Sequence, residues 1–462
     1  MNFIFFDTSL MILFCIFVAF FIKIKRKNMK REGLMFLYRT QWGVKFIEKF
    51  SKKNQRILKI LSPIIIVTGF FLMITMIYLF WSSLWQYIIN PNIIKIIKAP
   101  PIAPLIPYFP KLFGMESFFP DFYFVHFIIA ISLVALVHEF SHGIFMKLFK
   151  IRIKSTGFVF LGPILGAFVE QDDKQMVKRK NSEQMTVLGA GVFANLVTGL
   201  ILFAIMIGFF FAFYSPSGYI FNTYSLTAIN KTDITSMKDI SGNLTEVLAK
   251  NQTFYLDNEL KVQLNPNFSN KNLDYLVVYS GPSIVSGLKG AIIEINGKKI
   301  RSRGDLQMFM ATTKPGEKIL VKTKEKGKIM NFEIILGENP SNSSIGYLGI
   351  GSYSSKSKGL FSRVILFFVS FRDQNVLYEP VIFPEAIEFI YYLLWWCVVI
   401  NLLVALFNML PLGALDGGRF FYLSVLSVTK SEKIAKWSFK IATWILLGFF
   451  GLMMILWFIR II

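Results

Sequence analysis

The stretch Val134–Phe145 reads VALVHEFSHGIF and closes an apolar run over roughly 122–146. A run of that length crosses a hydrocarbon core about 30 Å thick when helical. His138 and His142 stand four residues apart, so they share one helical face, one turn from each other. Two neutral imidazoles so placed can hold one Zn²⁺. Glu139 lies beside them and can take a proton from a water that the ion activates. The whole chain contains only three histidines. A chance H-E-x-x-H in so histidine-poor a chain is on the order of one in a thousand, from its three fixed positions. A carboxylate inside a span also costs about 2.5–3.5 kcal/mol, which a bound cation offsets. The rival reading is a His/Glu cluster satisfied by hydrogen bonds between helices. His126 lies twelve residues earlier on the same helix. That is about 18 Å away, too far to join the site, and places it near the outer surface.

Outward from this span, the 462-residue chain is 54% hydrophobic. Six runs approach spanning length, at roughly 4–22, 60–82, 122–146, 185–213, 386–411 and 440–460. The formal charge of +22 is not a nucleic-acid footprint, because the cations flank the apolar runs. Cys15 and Cys397 both lie in apolar runs, which argues against a disulfide framework. The first run has no basic residues ahead of it and no small-residue cleavage site, so it reads as a retained span.

Loop charges orient the spans. The segment between the first two carries a dense set of cations, from Lys23 to Arg56, against Glu32 and Glu48. The positive-inside rule makes it cytoplasmic and puts the N-terminus outside. Alternation then puts 147–184 and 412–439 inside, and both are basic. It leaves about 214–358 outside.

That external segment is polar and broken by Gly and Pro. It holds every N-x-[ST] sequon of the chain, at Asn230, Asn243, Asn251, Asn267 and Asn342, where glycosylation is sterically open. An Asn- and Ser-rich composition also generates such triplets by chance. Residues 293–306 read IEINGKKIRSRGDL, followed at 314–336 by KPGEKILVKTKEKGKIMNFEIIL. The pattern is strand, Asn-Gly turn, strand, short helix, then two alternating strands. This order resembles a PDZ domain of the kind found in membrane proteases. Residues 226–240, LTAINKTDITSMKDI, echo it at an offset of 66 and suggest a second copy. The short apolar segment 359–371 is expected to lie flat at the outer interface.

Catalytic zinc takes three protein ligands and keeps one open position. The fifth span ends NMLPLGALDGGRF, residues 408–420, and offers Asp416. Alone, Asp416 would be an exposed loop carboxylate. The charge argument, however, puts it at the cytoplasmic end of its span, the same half of the membrane as His138. Pro411 interrupts the helix, and Gly413, Gly417 and Gly418 permit tight backbone paths.

HEFSHG at 138–143, paired with N-x-x-P-x-x-x-L-D-G at 408–417, resembles the site-2 protease family of intramembrane metalloproteases. The resemblance implies that His138, His142 and Asp416 bind one catalytic zinc and that Glu139 is the catalytic base. It implies cleavage of single-span membrane proteins within or near the bilayer, in regulated intramembrane proteolysis. The two N-terminal spans are additional to the family's minimal core.

The expected architecture is a polytopic α-helical membrane protein of about six spans, with an extracytoplasmic mixed α/β PDZ-like domain between spans four and five. Its parts are 1–83, two N-terminal helices with a basic loop; 122–213 and 384–462, the two parts of the protease core; and 214–358, the external domain. Residues 155–171, STGFVFLGPILGAFVEQ, look like the family's membrane-re-entrant β-hairpin, whose edge can pair with an unwound substrate. Folding as a cytoplasmic loop against the bundle is the alternative. Gly162 and Gly166 of that segment join Asn195 and Asn408 as candidate substrate-binding residues. The bland role for the two asparagines is interhelical hydrogen bonding. Gly189, Gly191 and Ala194 read as a close helix approach. A zinc transporter would need staged ligands along a path. A non-catalytic scaffold would not need Glu139.

Overall fold

The structure is a computed structural model that describes residues 3–33, 35–89, 100–101, 105–116, 118–162, 164–241, 244–250, 252–257, 275–325, 327–352, 367–368 and 370–461. With single-turn helices left unlabelled, the first part of the chain forms α1 (Phe3–Lys25), β1 (Met29–Glu32), β2 (Met35–Thr40), α2 (Val44–Lys53) and α3 (Gln55–Ile89). It continues with α4 (Phe124–Leu148), β3 (Ile153–Leu161), β4 (Ile164–Gln171) and α5 (Asn181–Phe213). After an inserted sheet-rich segment that contains α6 (Arg303–Met310), the chain resumes as α7 (Pro384–Phe407), α8 (Asp416–Thr429) and α9 (Glu432–Ile461).

Six of these helices, α1, α3, α4, α5, α7 and α9, are long and apolar enough to cross a membrane. The six expected spans are therefore present, with different limits. Helix α3 runs from residue 55 to 89 rather than 60 to 82. Backbone hydrogen bonding continues past the apolar run, which marks only the part suited to lipid. Helix α7 stops at Phe407, ahead of Pro411, because a proline cannot donate to the helical ladder. Apolar side chains such as Phe17, Phe71 and Leu403 remain exposed along these helices, as lipid contact requires.

The chain divides into two compact units, residues 1–210 with 385–462, and residues 211–384. In the first, β1, β2, β3 and β4 form one antiparallel sheet in that order. Leu37 of β2 pairs with Val159 of β3, and Val159 pairs in turn with Gly166 of β4. The hairpin foreseen at 155–171 is thus present, and the basic loop before α3 adds two strands and α2 to it. The core around it gathers Ile47, Ile65, Phe145, Met185, Met409 and Phe420, all buried. A second cluster stacks Phe122 and Trp396 against Ala130 and Ile400.

The second unit holds a sheet of order β17-β6-β10-β9-β8-β7 and another built on β14-β13-β11-β5-β18, with β12 paired to β11. The strands are β5 (Tyr214–Tyr219), β6 (Thr223–Asn230), β7 (Ile234–Ser241), β8 (Leu244–Ala249), β9 (Gln252–Asp257), β10 (Tyr275–Ser280), β11 (Ala291–Ile295), β12 (Lys298–Lys299), β13 (Lys318–Glu325), β14 (Lys328–Ile335), β15 (Gly337–Asn339) and β16 (Asn342–Tyr347), which pair with each other, β17 (Ile350–Gly351) and β18 (Val376–Pro380). Asn296 and Gly297 turn β11 into β12 with φ of 47° and 82°, as an Asn-Gly hairpin demands. The foreseen order of strand, turn, strand, helix and two strands over 291–335 is observed. Ser302 caps α6, accepting from the Asp305 N–H at 3.2 Å.

Two expectations are corrected. The suspected repeat at 226–240 folds differently: residues 237–241, which correspond at offset 66 to the first part of α6, lie in β7 rather than in a helix. Cross-strand pairing of Met237 with Val247 overrides the local pattern. The unit also extends past residue 358, because β18 pairs with β5 from Val376↔Tyr219 to Pro380↔Tyr214. Asn230 and Asn342 are exposed; Asn243, Asn251 and Asn267, and most of 359–371, lie outside the described residues.

Candidate metal centre

Helix α4 places His138 and His142 on one face, 8% and 7% exposed. Asp416 comes from the far end of the chain. After α7 ends, residues 408–415 loop back, and the Gly417 N–H donates to the Asn408 carbonyl at 2.8 Å. A Cβ on Gly417 would lie 2.3 Å from the Met409 carbonyl group, so the return path excludes any side chain there. Asp416 therefore opens α8 rather than sitting in a free loop. Arg419 of α8 donates to Gln184 Oε1 at 3.0 Å, and Gln184 donates to the Arg179 carbonyl at 2.9 Å, which pins α8 to the start of α5.

Three atoms converge. His138 Nε2 lies 3.1 Å from Asp416 Oδ2, His142 Nε2 lies 3.3 Å from it, and the two Nε2 atoms are 3.0 Å apart. Bonds of about 2.0–2.2 Å to a tetrahedral ion separate ligand atoms by about 3.3–3.6 Å. The observed triangle is slightly tighter than that and of the right composition for zinc: two nitrogens and one carboxylate oxygen. Among the described residues it is the one such group of three.

The far sides of both rings are held. His142 Nδ1–H donates to the Val187 carbonyl at 2.6 Å, which leaves Nε2 as the lone-pair nitrogen. His138 Nδ1 faces the Asn195 amide at 3.1 Å, and Asn195 is fully buried. A ligating Nε2 requires a proton on Nδ1, hence an acceptor opposite it. Asn195 Oδ1 has no partner as placed, and turning the amide over supplies that acceptor. Asn195 thus stands behind a histidine. Its foreseen role as a substrate contact is not what its position favours, since it is absent from the cleft lining.

Gly191 of α5 explains how the helices approach. A Cβ there would lie 2.6 Å from His142 Nε2 and 2.7 Å from His138 Cε1. Glu139 points the other way from these supports: its Oε2 accepts from the Val169 N–H of β4 at 2.9 Å.

A cavity of about 560 Å³ joins these groups. His138, Glu139, His142, Asn408 and Asp416 line it, with Phe168, Val169 and Glu170 of β4 and Leu37 and Arg39 of β2. Gly162 and Gly166 do not. Gly162 turns the hairpin with φ of 58°, and Gly166 accommodates Val159, so both serve the strand pair. Arg39 grips Glu170 through two nitrogens at 3.0 and 3.2 Å, across β3. Sequence reading did not find Arg39, Val169 or the Val187 carbonyl. Two of those contacts use backbone atoms, which leave no trace in residue identity.

Helix α4 is also seated at its other end. Asp7 of α1, 2% exposed, accepts from the N–H groups of Phe124 and Val125 at 2.7 and 3.0 Å, capping α4 across the helices. Tyr108 donates its hydroxyl to the same carboxylate at 2.5 Å; burial and this bond push its phenol up to about 12. His126 is buried near this cap, far from the metal triangle as expected, but inside the bundle rather than on an interface.

The model of the family described as Peptidase family M50 matches residues 126–449, more than half of the chain. The chain belongs to peptidase family M50, the site-2 protease family. Among similar proteins, an uncharacterised protein of Methanocaldococcus jannaschii is 27% identical over 93% of this chain and 90% of its own length. A protein of Fusobacterium nucleatum whose name marks it as a candidate zinc metalloprotease is 23% identical over 71% of this chain and 91% of its own. Six apolar helices and M50 membership make this a multi-pass membrane protein and a metalloprotease. The M50 match begins at residue 126, so α1, β1, β2, α2 and α3 lie outside it.

Proposed function

We propose that the chain is an intramembrane zinc endopeptidase that hydrolyses peptide bonds of single-span membrane proteins, in regulated intramembrane proteolysis. The observation that carries this is the convergence of His138, His142 and Asp416 in a cavity that Glu139 shares. Zinc held there would supply Lewis acidity, lowering the pKa of a water and polarising a peptide carbonyl.

The chain's own residues do the rest. Glu139 accepts a proton from the attacking water and delivers it to the leaving amine. Asn195 and the Val187 carbonyl hold both imidazoles so that their Nε2 atoms face Asp416, where an ion would be held. Strand β4 forms a wall of the cavity and offers an edge to an extended substrate. Asn408, on the cavity wall, remains a candidate substrate contact. Loop charges favour an N-terminus outside, the metal toward the cytoplasm and the inserted unit outside. The inserted unit acts as a PDZ-like filter that admits substrates already trimmed outside. Deleting 222–350 should then broaden cleavage, and unchanged selectivity would refute the filter.

The decisive test compares membrane proteomes carrying wild type and Glu139→Gln at equal zinc content. Accumulation of uncut single-span fragments with the variant supports the proposal. Equal cleavage by both proteins rejects it.

A further inference from the structure

Helix α2 carries a basic face that neither the metal site nor the M50 match accounts for. Lys45, Lys49, Lys52 and Lys53 recur at i, i+4, i+7 and i+8 and so form one stripe. All four are exposed, and none has an ion pair among the described residues. They line one shallow concavity with Glu48. Glu48 faces Lys147 of α4 at 3.4 Å, so it does not neutralise the stripe.

The neighbouring face is aromatic. Trp42, Phe46 and Phe50 are 62%, 57% and 40% exposed. One residue, Asn54, separates α2 from the membrane helix α3, whose exposed Ile57 and Ile60 begin its lipid-facing surface. A short helix with lysines on one face and Trp and Phe beside them suits the boundary between headgroups and acyl chains. Rings enter the apolar layer while ammonium groups stay with the phosphates.

The site is also rigidly mounted. Ile47 is fully buried and meets Gly143, where an added Cβ would lie 2.9 Å from its Cδ1. Phe140, next to Glu139, packs on Trp42 and over Gly43. The lysine stripe is therefore held at a set position against the metal-bearing helix.

We infer that the basic face of α2 is a binding site for the headgroups of anionic phospholipids. The occupant is a lipid rather than an acidic protein, because the aromatic face and the junction with α3 put the stripe at the bilayer surface. Occupancy falls with rising ionic strength, since exposed charges are screened within about 8–10 Å at physiological salt.

The test uses the full chain in nanodiscs of mixed phosphatidylcholine and phosphatidylglycerol. Spin-labelled versions of each lipid report the motionally restricted fraction. Wild type should restrict phosphatidylglycerol at least about threefold more than phosphatidylcholine at low salt, a modest share of what four lysines near an anionic surface can give. The variant Lys45→Gln/Lys49→Gln/Lys52→Gln/Lys53→Gln should bring the ratio close to one, while the matching Lys→Arg variant keeps it. If the quadruple glutamine variant does not fold, Lys45→Gln/Lys52→Gln alone should lower the ratio. A wild-type ratio near one, or a ratio unchanged by the glutamines, overturns the proposal. So does tight binding of soluble polyglutamate or inorganic phosphate by a chain that shows no lipid preference.

Discussion

Glu139 Oε2 accepts a hydrogen bond from the Val169 N–H at 2.9 Å, tying the acid beside the two histidines to strand β4. Thr156 is Val169's pair on β3, yet this N–H points to Glu139 instead. A proline is tolerated where a strand's N–H is not used by the ladder. Val169→Pro should therefore leave the sheet standing and free the Glu139 carboxylate. Proteolysis is expected to drop about tenfold or more, on the scale of a misplaced acid–base group. Zinc content, read by mass spectrometry, should not change. Loss of zinc together with activity would show the strand to be holding the whole site.

Glu139→Gln keeps an amide oxygen for the Val169 N–H and removes the base. Cleavage should fall by about 10²–10⁴-fold, the usual contribution of a general base. The measurement is single-turnover cleavage of a membrane-anchored substrate, with zinc assayed in the same sample.

Asn195→Ala removes the partner of His138 Nδ1 and leaves a buried ring nitrogen alone. Zinc affinity should weaken by about 10–100-fold, as for other partners of ligating histidines. Asn195→Asp keeps an acceptor and should retain most of the affinity. Competition with a chelator of known strength separates the two variants.

Gly191→Ala puts a methyl into space held by both imidazoles. The rings cannot both keep their rotamers, so zinc content should fall well below one per chain while the variant still inserts in the membrane. Metal analysis of the purified protein checks this. Full occupancy would mean that α5 can withdraw from the site.

Asp7→Ala leaves two N-terminal amides of α4 and the Tyr108 hydroxyl without their acceptor. Loss of a helix cap with buried donors costs about 1–3 kcal/mol. Unfolding in detergent, titrated with a denaturant, should shift accordingly. The Tyr108 phenol, pushed up to about 12, stays protonated throughout the working range, so it should go on donating to Asp7 there.

Much of the candidate site is legible in the amino-acid sequence. His138 and His142 share a face because four residues make about one helical turn, a local fact. The six spans follow from runs of apolar residues, which report lipid exposure directly. The candidate third ligand, Asp416, needed an argument about depth as well as its motif. Sequence stopped at the limits of α3 and α7, where polar residues continue a helix or a proline-containing loop cuts one short.

By itself, then, the sequence pointed to the membrane class of the chain, to the histidine pair with its neighbouring glutamate, and to the aspartate that the fold brings beside them. Tertiary structure decided what holds them. The Val187 carbonyl, the Val169 N–H and the space above Gly191 are properties of chain positions brought together by packing. It also decided that β2 would pair with β3, with Thr40 opposite Thr156, and so bring Arg39 into the cavity. No local periodicity encodes such a pairing, because residue spacing records which way side chains point and not which distant strand lies beside them.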